Sequence, residues 1–132
     1  MTYDADNIGE LELAVLDYLW SAGPADVKTV HKSIGKPREI TYNTVQSALK
    51  RLYDKGLLDR QKESYAYVYV PDVDRRELTE HRLSEVVGEL TKGELDVALE
   101  AFVDFAERTG GETLDRLEQL VADRKKGGRG SE

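Results

Sequence analysis

TYNTVQSALKRLYDKG, residues 41–56, reads as one short helix with two unlike faces. Thr41 is a good N-cap, because its hydroxyl can accept from a backbone N–H left free in the first turn. Val45, Ala48, Leu49 and Leu52 recur at helical spacing and make a stripe for burial. Asn43, Gln46, Ser47 and Lys50 fall on the other side, and Gly56 supplies the stop. The outward face is poor in carboxylates and carries groups that hydrogen-bond base edges and phosphates. Taken alone, the stretch is equally an ordinary amphipathic helix with a solvated polar face. Its neighbours decide between the two.

Upstream, Ile8 to Ala22 reads as a first helix with Leu11, Val15, Tyr18 and Leu19 as its stripe and Ala14 and Trp20 flanking. Gly23-Pro24 breaks it. Asp26 is the expected N-cap of a second helix whose apolar face is Val27, Val30 and Ile34, ended by Gly35 and Pro37. Two short helices joined by a short link, the second one two-faced, predict a helix-turn-helix. Downstream of Gly56 the period drops from 3.6 to 2. Residues 57–62 form one expected strand and 65–70 another, with Tyr65, Tyr67 and Tyr69 on one face and Ala66, Val68 and Val70 on the other. Glu63 and Ser64 would make the turn, and Pro71 would stop the strand. The fold predicted is mainly α: a winged helix-turn-helix of three helices and a β-hairpin wing, followed by a helical region. The wing tip would carry Arg60, Lys62 and Ser64. The tyrosine row fits wing packing against the three-helix core better than a stacking platform for single strands.

The rest is helical. Asp74 and Glu77 have capping-box spacing, and Leu78, Leu83, Val86, Val87 and Leu90 follow as a stripe as far as Gly93. Leu95, Ala98, Leu99, Phe102 and Ala106 make a second stripe, closed by Gly110-Gly111, and Leu114, Leu117, Leu120 and Val121 a third. Such helices are marginal alone and need a partner for their stripes; a second copy of the chain is the simplest. The division expected is 1–72 for the winged helix, 73–124 for helical dimerisation, and 125–132 for a Gly-rich, charged, disordered tail.

The chain has 132 residues and a net charge of −7. The charge is unevenly spread. Residues 28–62 hold nine Lys and Arg against three carboxylates, a local +6 that leaves −13 for the remainder. The field at a surface governs binding, not the whole-chain total, so nucleic acid stays a candidate partner. There is no cysteine, which excludes disulfides and thiolate metal sites. No apolar run reaches the roughly 20 residues of a membrane span, and MTYDADNIGE lacks the pattern of a signal peptide. The expectation is a cytoplasmic protein with no membrane partner. An enzyme is not expected: His31 and His81 lie in no spacing that binds metal or completes a triad, there is no Gly-rich phosphate loop, and no cofactor is implied.

GELELAVLDYLW, GPADVKTVHKSI, TYNTVQSALKRLYDKGLLDRQKE and YAYVYVP resemble, in order and spacing, the penicillinase-repressor family, BlaI/MecI. The resemblance runs from about Gly9 to Pro71, and the helical remainder fits the family in length and layout. It implies a homodimeric winged-helix repressor whose N-terminal domain binds a palindromic double-stranded operator and whose C-terminal helices dimerise. Carried over position by position, it implies base access for Asn43, Thr44, Gln46 and Ser47. Tyr42, Lys50 and Arg51 would lie nearer phosphate, and Lys62 would be the wing's backbone contact. Well-known members are inactivated by cleavage at an Asn-Phe bond; here Ala101-Phe102 aligns with it. Copper-responsive members use Cys-rich C-terminal motifs, and this chain has none.

From the residues, Asn43 or Gln46 can bond adenine, and Thr44 or Ser47 a base edge or thymine methyl. None of the four is Arg, so a bidentate guanine contact is not expected from them. The rival reading is a winged helix that docks a protein without reading DNA, against which the local +6 argues. A further variant adds a small-molecule effector among the C-terminal helices.

Overall fold

The computed structural model describes the backbone of residues 8–131 and the side chains of residues 8–128. Residues 1–7, on which the signal-peptide reading partly rests, and Glu132 of the expected tail lie outside the described residues.

Helix α1 (Glu10–Ala22) starts where Glu12, in its first turn, reaches back to the Gly9 N–H with Oε1 at 3.0 Å. That is the return half of a capping box, and it satisfies one of the donors a helix start leaves free. Gly23, at φ 94°, ends the helix and donates to the Leu19 carbonyl. Val15, Leu16 and Leu19 are its buried stripe; Leu11 and Tyr18, expected in it, are only half-buried. The stripe turns toward Leu16 because the core lies between α1 and the helix at 42–54.

Strand β1 (Ala25–Asp26) is two residues long and has no counterpart in the sequence expectation. Helix α2 (Val27–Val30) is capped by Asp26, whose carboxylate accepts from the Thr29 N–H at 2.9 Å. It continues as a wide π turn (His31–Gly35) and a tight 3-10 turn (Lys36–Arg38), past the expected end. Gly35 sits where this change of pitch meets the next helix. A Cβ there would stand 2.6 Å from His31 Cδ2 and 2.9 Å from Val45 Cγ2.

Helix α3 (Tyr42–Asp54) is followed by strands β2 (Leu58–Glu63) and β3 (Ala66–Pro71). The sheet has order β1-β3-β2, all antiparallel, with Ala25 opposite Tyr69 and Arg60 opposite Tyr69 from the other side. Glu63 pairs with Ala66, so the loop is Ser64-Tyr65, one residue later than expected. Ser64 takes the left-handed φ of 57° that this tight connection needs. Tyr69 is buried at 3% exposure, Tyr67 is partly exposed, and Tyr65 is fully out in the loop. The core joins Val15, Leu16, Leu19, Val30, Val45, Leu49, Leu52 and Leu57, all nearly solvent-free, with Val73 and Leu78 from the segment after the wing. Each such side chain contributes roughly 1.5–3 kcal/mol by leaving water.

Helices α4 (Arg75–Thr91), α5 (Leu95–Thr109) and α6 (Gly111–Ser131) complete the chain. Asp74 and Glu77 make both halves of the capping box, at 2.7 and 3.0 Å. The chain divides into two compact units, residues 1–84 and 85–132, whereas the sequence pattern divides it at 72/73. The start of α4 falls in the first unit because Val73 and Leu78 are buried in that unit's core. In the second unit α5 packs against α6, with Ala106 buried. The backbone of α6 runs helical to Ser131, through the stretch that composition marks for disorder.

Candidate nucleic-acid interface

The polar face of α3 is set by its cap and its stripe. Thr41 Oγ1 accepts from the Thr44 N–H at 3.2 Å and shares a hydrogen bond with the Thr44 hydroxyl at 2.9 Å. Val45, Ala48, Leu49 and Leu52 are all solvent-free. Their burial fixes the rotation of the helix and so turns Asn43, Gln46, Ser47 and Lys50, at i, i+3, i+4 and i+7, to solvent as one row. Tyr42, Thr44 and Arg51 are also exposed. The eight residues expected at the interface thus all reach solvent, seven on α3 and Lys62 on β2.

They differ in how far they are already engaged. The amide and hydroxyl side chains of Asn43, Gln46 and Ser47 lie exposed along the row. Part of the Thr44 hydroxyl's capacity goes to the cap. Tyr42 is held edge-on by the His31 ring, 5.9 Å between centroids. Lys50 pairs with Asp54 at 2.9 Å, both well exposed, so the pair is weak and yields readily to a phosphate. Arg51 Nε lies 3.9 Å from Glu12 Oε2 and keeps about half its surface open. Lys62 stands 5.9 Å from the Tyr67 ring on the exposed wing.

Arg60 does not lie at the wing tip, where the sequence pattern puts it, but opposite Tyr69 within the hairpin. Its guanidinium is 4.0 Å from the ring centres of both Tyr53, at the end of α3, and Tyr67, on β3. A hydrogen bond to Tyr69, with the neighbouring tyrosines, raises its pKa further above the ordinary arginine value. This cation is a spacer between α3 and the wing, and the tip is left to Lys62, Glu63, Ser64 and Tyr65.

Two other positioning residues are not evident from the sequence. Glu12 is buried in the core of the unit that carries α3, with Lys55 at 3.0 Å. His31 Nε2 donates to the Ile40 carbonyl at 3.0 Å and so ties the second helix to the start of α3. That gives His31 a structural role. Lys28, Lys32 and Lys36 are exposed on the second helix and its continuation, so a large part of the local positive charge is open to an anionic partner. Among the described residues, no group of three or more His, Asp or Glu side chains is placed to hold a metal, and no helix is long and apolar enough to cross a membrane.

The penicillinase repressor family matches residues 8–123. The transcriptional regulator BlaI of Mycobacterium tuberculosis is 33% identical over 122 residues, 91% of this chain and 86% of its own length. The penicillinase repressor of Bacillus licheniformis is 26% identical over 118 residues, covering 89% and 91%. A solution structure of the DNA-binding domain of the repressor BlaI superposes with a TM-score of 0.52 at 30% identity, over 58% of this chain and 93% of that one. The winged helix-turn-helix and the match over nearly the whole length agree, and the chain belongs to the penicillinase repressor family.

Proposed function

We propose that this chain is a sequence-specific DNA-binding transcriptional regulator that represses by occupying a palindromic operator as a homodimer. The observation that carries the reading is the exposed row Asn43, Gln46, Ser47 and Lys50 on a helix whose opposite side is wholly buried. This is the arrangement by which a recognition helix presents donors and acceptors to the major groove. Tyr42, Lys50, Arg51 and Lys62 frame the row and supply phosphate contacts, which set register and affinity without reading sequence. Repression needs no chemistry: a dimer lying over a promoter excludes polymerase.

The dimer is supported by the second unit. Leu95, Val97, Leu99, Phe102, Val103 and Phe105 on α5 are each between about four and seven tenths exposed, and Leu120 and Val121 on α6 likewise. A unit with that much open apolar surface is completed by a second copy, and a two-fold axis then matches a palindrome. The acidic balance of residues 71–132, sixteen carboxylates against ten cations, suits a part that stays off the DNA.

Selection from random duplexes at two salt concentrations tests the reading. A recovered palindrome with a steep salt dependence supports it. Weak, salt-sensitive binding without a motif would overturn it and leave the same face to a protein partner.

A further inference from the structure

The segment between the wing and α4 is pinned more firmly than a linker needs to be. The Asp72 N–H donates to the Leu57 carbonyl at 2.9 Å, and Val73 is buried. The indole N–H of Trp20, on α1, donates to the Val73 carbonyl at 2.8 Å across 53 positions of sequence. Arg75, the first residue of α4, lays its guanidinium 4.7 Å from the centre of the same indole ring. One of its nitrogens stands 2.8 Å from Asp17 Oδ1, one turn before Trp20. The capping box of Asp74 and Glu77 then starts the helix at once, and Leu78 anchors its first turn in the core.

We propose that Trp20, Arg75 and Asp17 form a clamp that fixes the direction in which α4 leaves the winged helix, and that this clamp sets which half-site spacing the dimer accepts. The inference rests on the dimeric operator reading above. Its physical basis is leverage. Helix α4 runs unbroken through residues 75–84, the part that belongs to the first unit, so a tilt at its root is carried along a rod of about 15 Å. A tilt of about 10° moves the end of that rod by about 2.6 Å, most of one base-pair step of about 3.4 Å along DNA. The ion pair alone is too exposed to hold the rod. The indole hydrogen bond holds the backbone, and the guanidinium, bridging ring and carboxylate, keeps α4's first turn against α1. None of the three residues lies on the base-reading row, so the clamp acts on spacing and leaves half-site recognition alone.

The test uses the full chain and a series of duplexes: one isolated half-site, the selected palindrome, and palindromes with one base pair added to or removed from the centre. The unmutated chain is expected to bind the off-spacing palindromes at least about ten-fold more weakly than the selected one. In Arg75→Gln, and in Arg75→Gln with Trp20→Phe, that penalty is expected to fall to about three-fold or less, with half-site affinity within about two-fold of the unmutated chain. Arg75 is largely exposed, so its replacement keeps the core, and the emission of Trp20, the single tryptophan, reports the loosened root in the Arg75→Gln chain. A spacing penalty unchanged in both variants overturns the clamp. Half-site affinity falling in step with palindrome affinity also overturns it, since the residues would then serve the reading head itself. An unmutated chain that binds the palindrome no better than the half-site removes the dimeric reading instead, and that failure is seen without any variant.

Discussion

Glu12 Oε2 stands 3.0 Å from the ammonium of Lys55, across 43 positions of sequence, and ties the start of α1 to the end of α3. The Glu12 side chain is 7% exposed and that of Lys55 18%, so this pair is shielded, unlike the surface pair of Lys50 and Asp54. The other carboxylate oxygen holds the Gly9 N–H. Truncating Glu12 leaves an ammonium and an amide without this acceptor. Breaking one side of a shielded pair costs more than the pair is worth, because the remaining group keeps its desolvation. Glu12→Ala is therefore expected to lower unfolding free energy by about 2–3 kcal/mol, and Glu12→Gln by less, since the amide oxygen still accepts from Gly9. Urea unfolding at neutral pH checks this; equal losses in the two variants would show that the retained Gly9 bond contributes nothing.

Gly35 is chosen for space, not for an unusual φ. A methyl group there meets His31 Cδ2 and Val45 Cγ2 at less than 3.0 Å. His31 cannot swing aside freely, because its Nε2 is bonded to the Ile40 carbonyl, and Val45 is solvent-free under the recognition helix. Gly35→Ala should push the second helix away from α3 at a cost of about 1–3 kcal/mol, the usual range for overpacking. Thermal unfolding measures it. DNA affinity at a temperature where the variant is folded should fall as well, since the two helices of the reading head no longer keep their angle. A neutral or stabilised Gly35→Ala would mean that this contact relaxes at no cost.

These two residues mark where the sequence is legible and where it is not. Helix α3 is readable because its cap, its stripe and its stop lie within sixteen consecutive residues and all agree. The exposed row 43, 46, 47, 50 follows from the same period. The wing is readable as alternation, but its turn is misplaced by one, because Ser64 can adopt the left-handed conformation and nothing local marks it as the residue that does. Strand β1 has two residues, too few for any period, and exists because β3 offers it a free edge. Glu12 reads as an ordinary first-turn acid; only the fold brings Lys55 to it. Arg60 reads as one more wing cation; the tyrosine row on the facing strand is a signal for its contact with Tyr67, but only the fold brings Tyr53 to its other side.

Asp26 links stability to pH. Its carboxylate accepts from the Thr29 side chain and backbone N–H, and these bonds hold its pKa below the ordinary carboxylate value. A pKa depressed in the folded state contributes stability that is fully present above the unfolded value, near 4, and is lost as pH falls through the lower folded value. Asp26→Ala is expected to cost about 1 kcal/mol at pH 7, as for other N-caps. The gap between Asp26→Ala and the unmutated chain should narrow below about pH 3.5, where the cap is increasingly protonated in both states. Urea midpoints at about pH 7 and about pH 3 check the sign. A gap that widens in acid would show that the charged carboxylate is not what caps this helix.

Arg60 separates a positioning role from a phosphate contact. A phosphate contact survives Arg60→Lys in large part, because the charge remains. A planar cation stacked between Tyr53 and Tyr67 does not, because an ammonium offers no flat face to two rings at once. Arg60→Lys and Arg60→Gln are thus expected to weaken operator binding alike, by about three- to ten-fold, through loss of the wing's position. Filter binding or fluorescence anisotropy with the selected operator measures it. Full rescue by lysine would put Arg60 back among the groups that touch phosphate.

The proposed division of labour between α3 and the wing is open to the most direct test. Asn43 belongs to the exposed row, and its amide can pair with adenine N6 and N7. Asn43→Ala should cost about 1–3 kcal/mol on the selected operator and relax preference at one base pair of each half-site, while the salt dependence stays as it was. Lys62, out on the wing, should behave in the opposite way. Lys62→Ala should weaken every duplex by a similar factor and reduce the slope of log K against log salt by about 0.9 for each phosphate no longer neutralised, hence about 2 for a dimer. Repeating the random-duplex selection with each variant, and titrating both at several salt concentrations, tests the two statements separately. An unchanged motif with Asn43→Ala moves sequence choice to Gln46 and Ser47. An altered motif with Lys62→Ala makes the wing a reader of sequence as well as a clamp on the backbone.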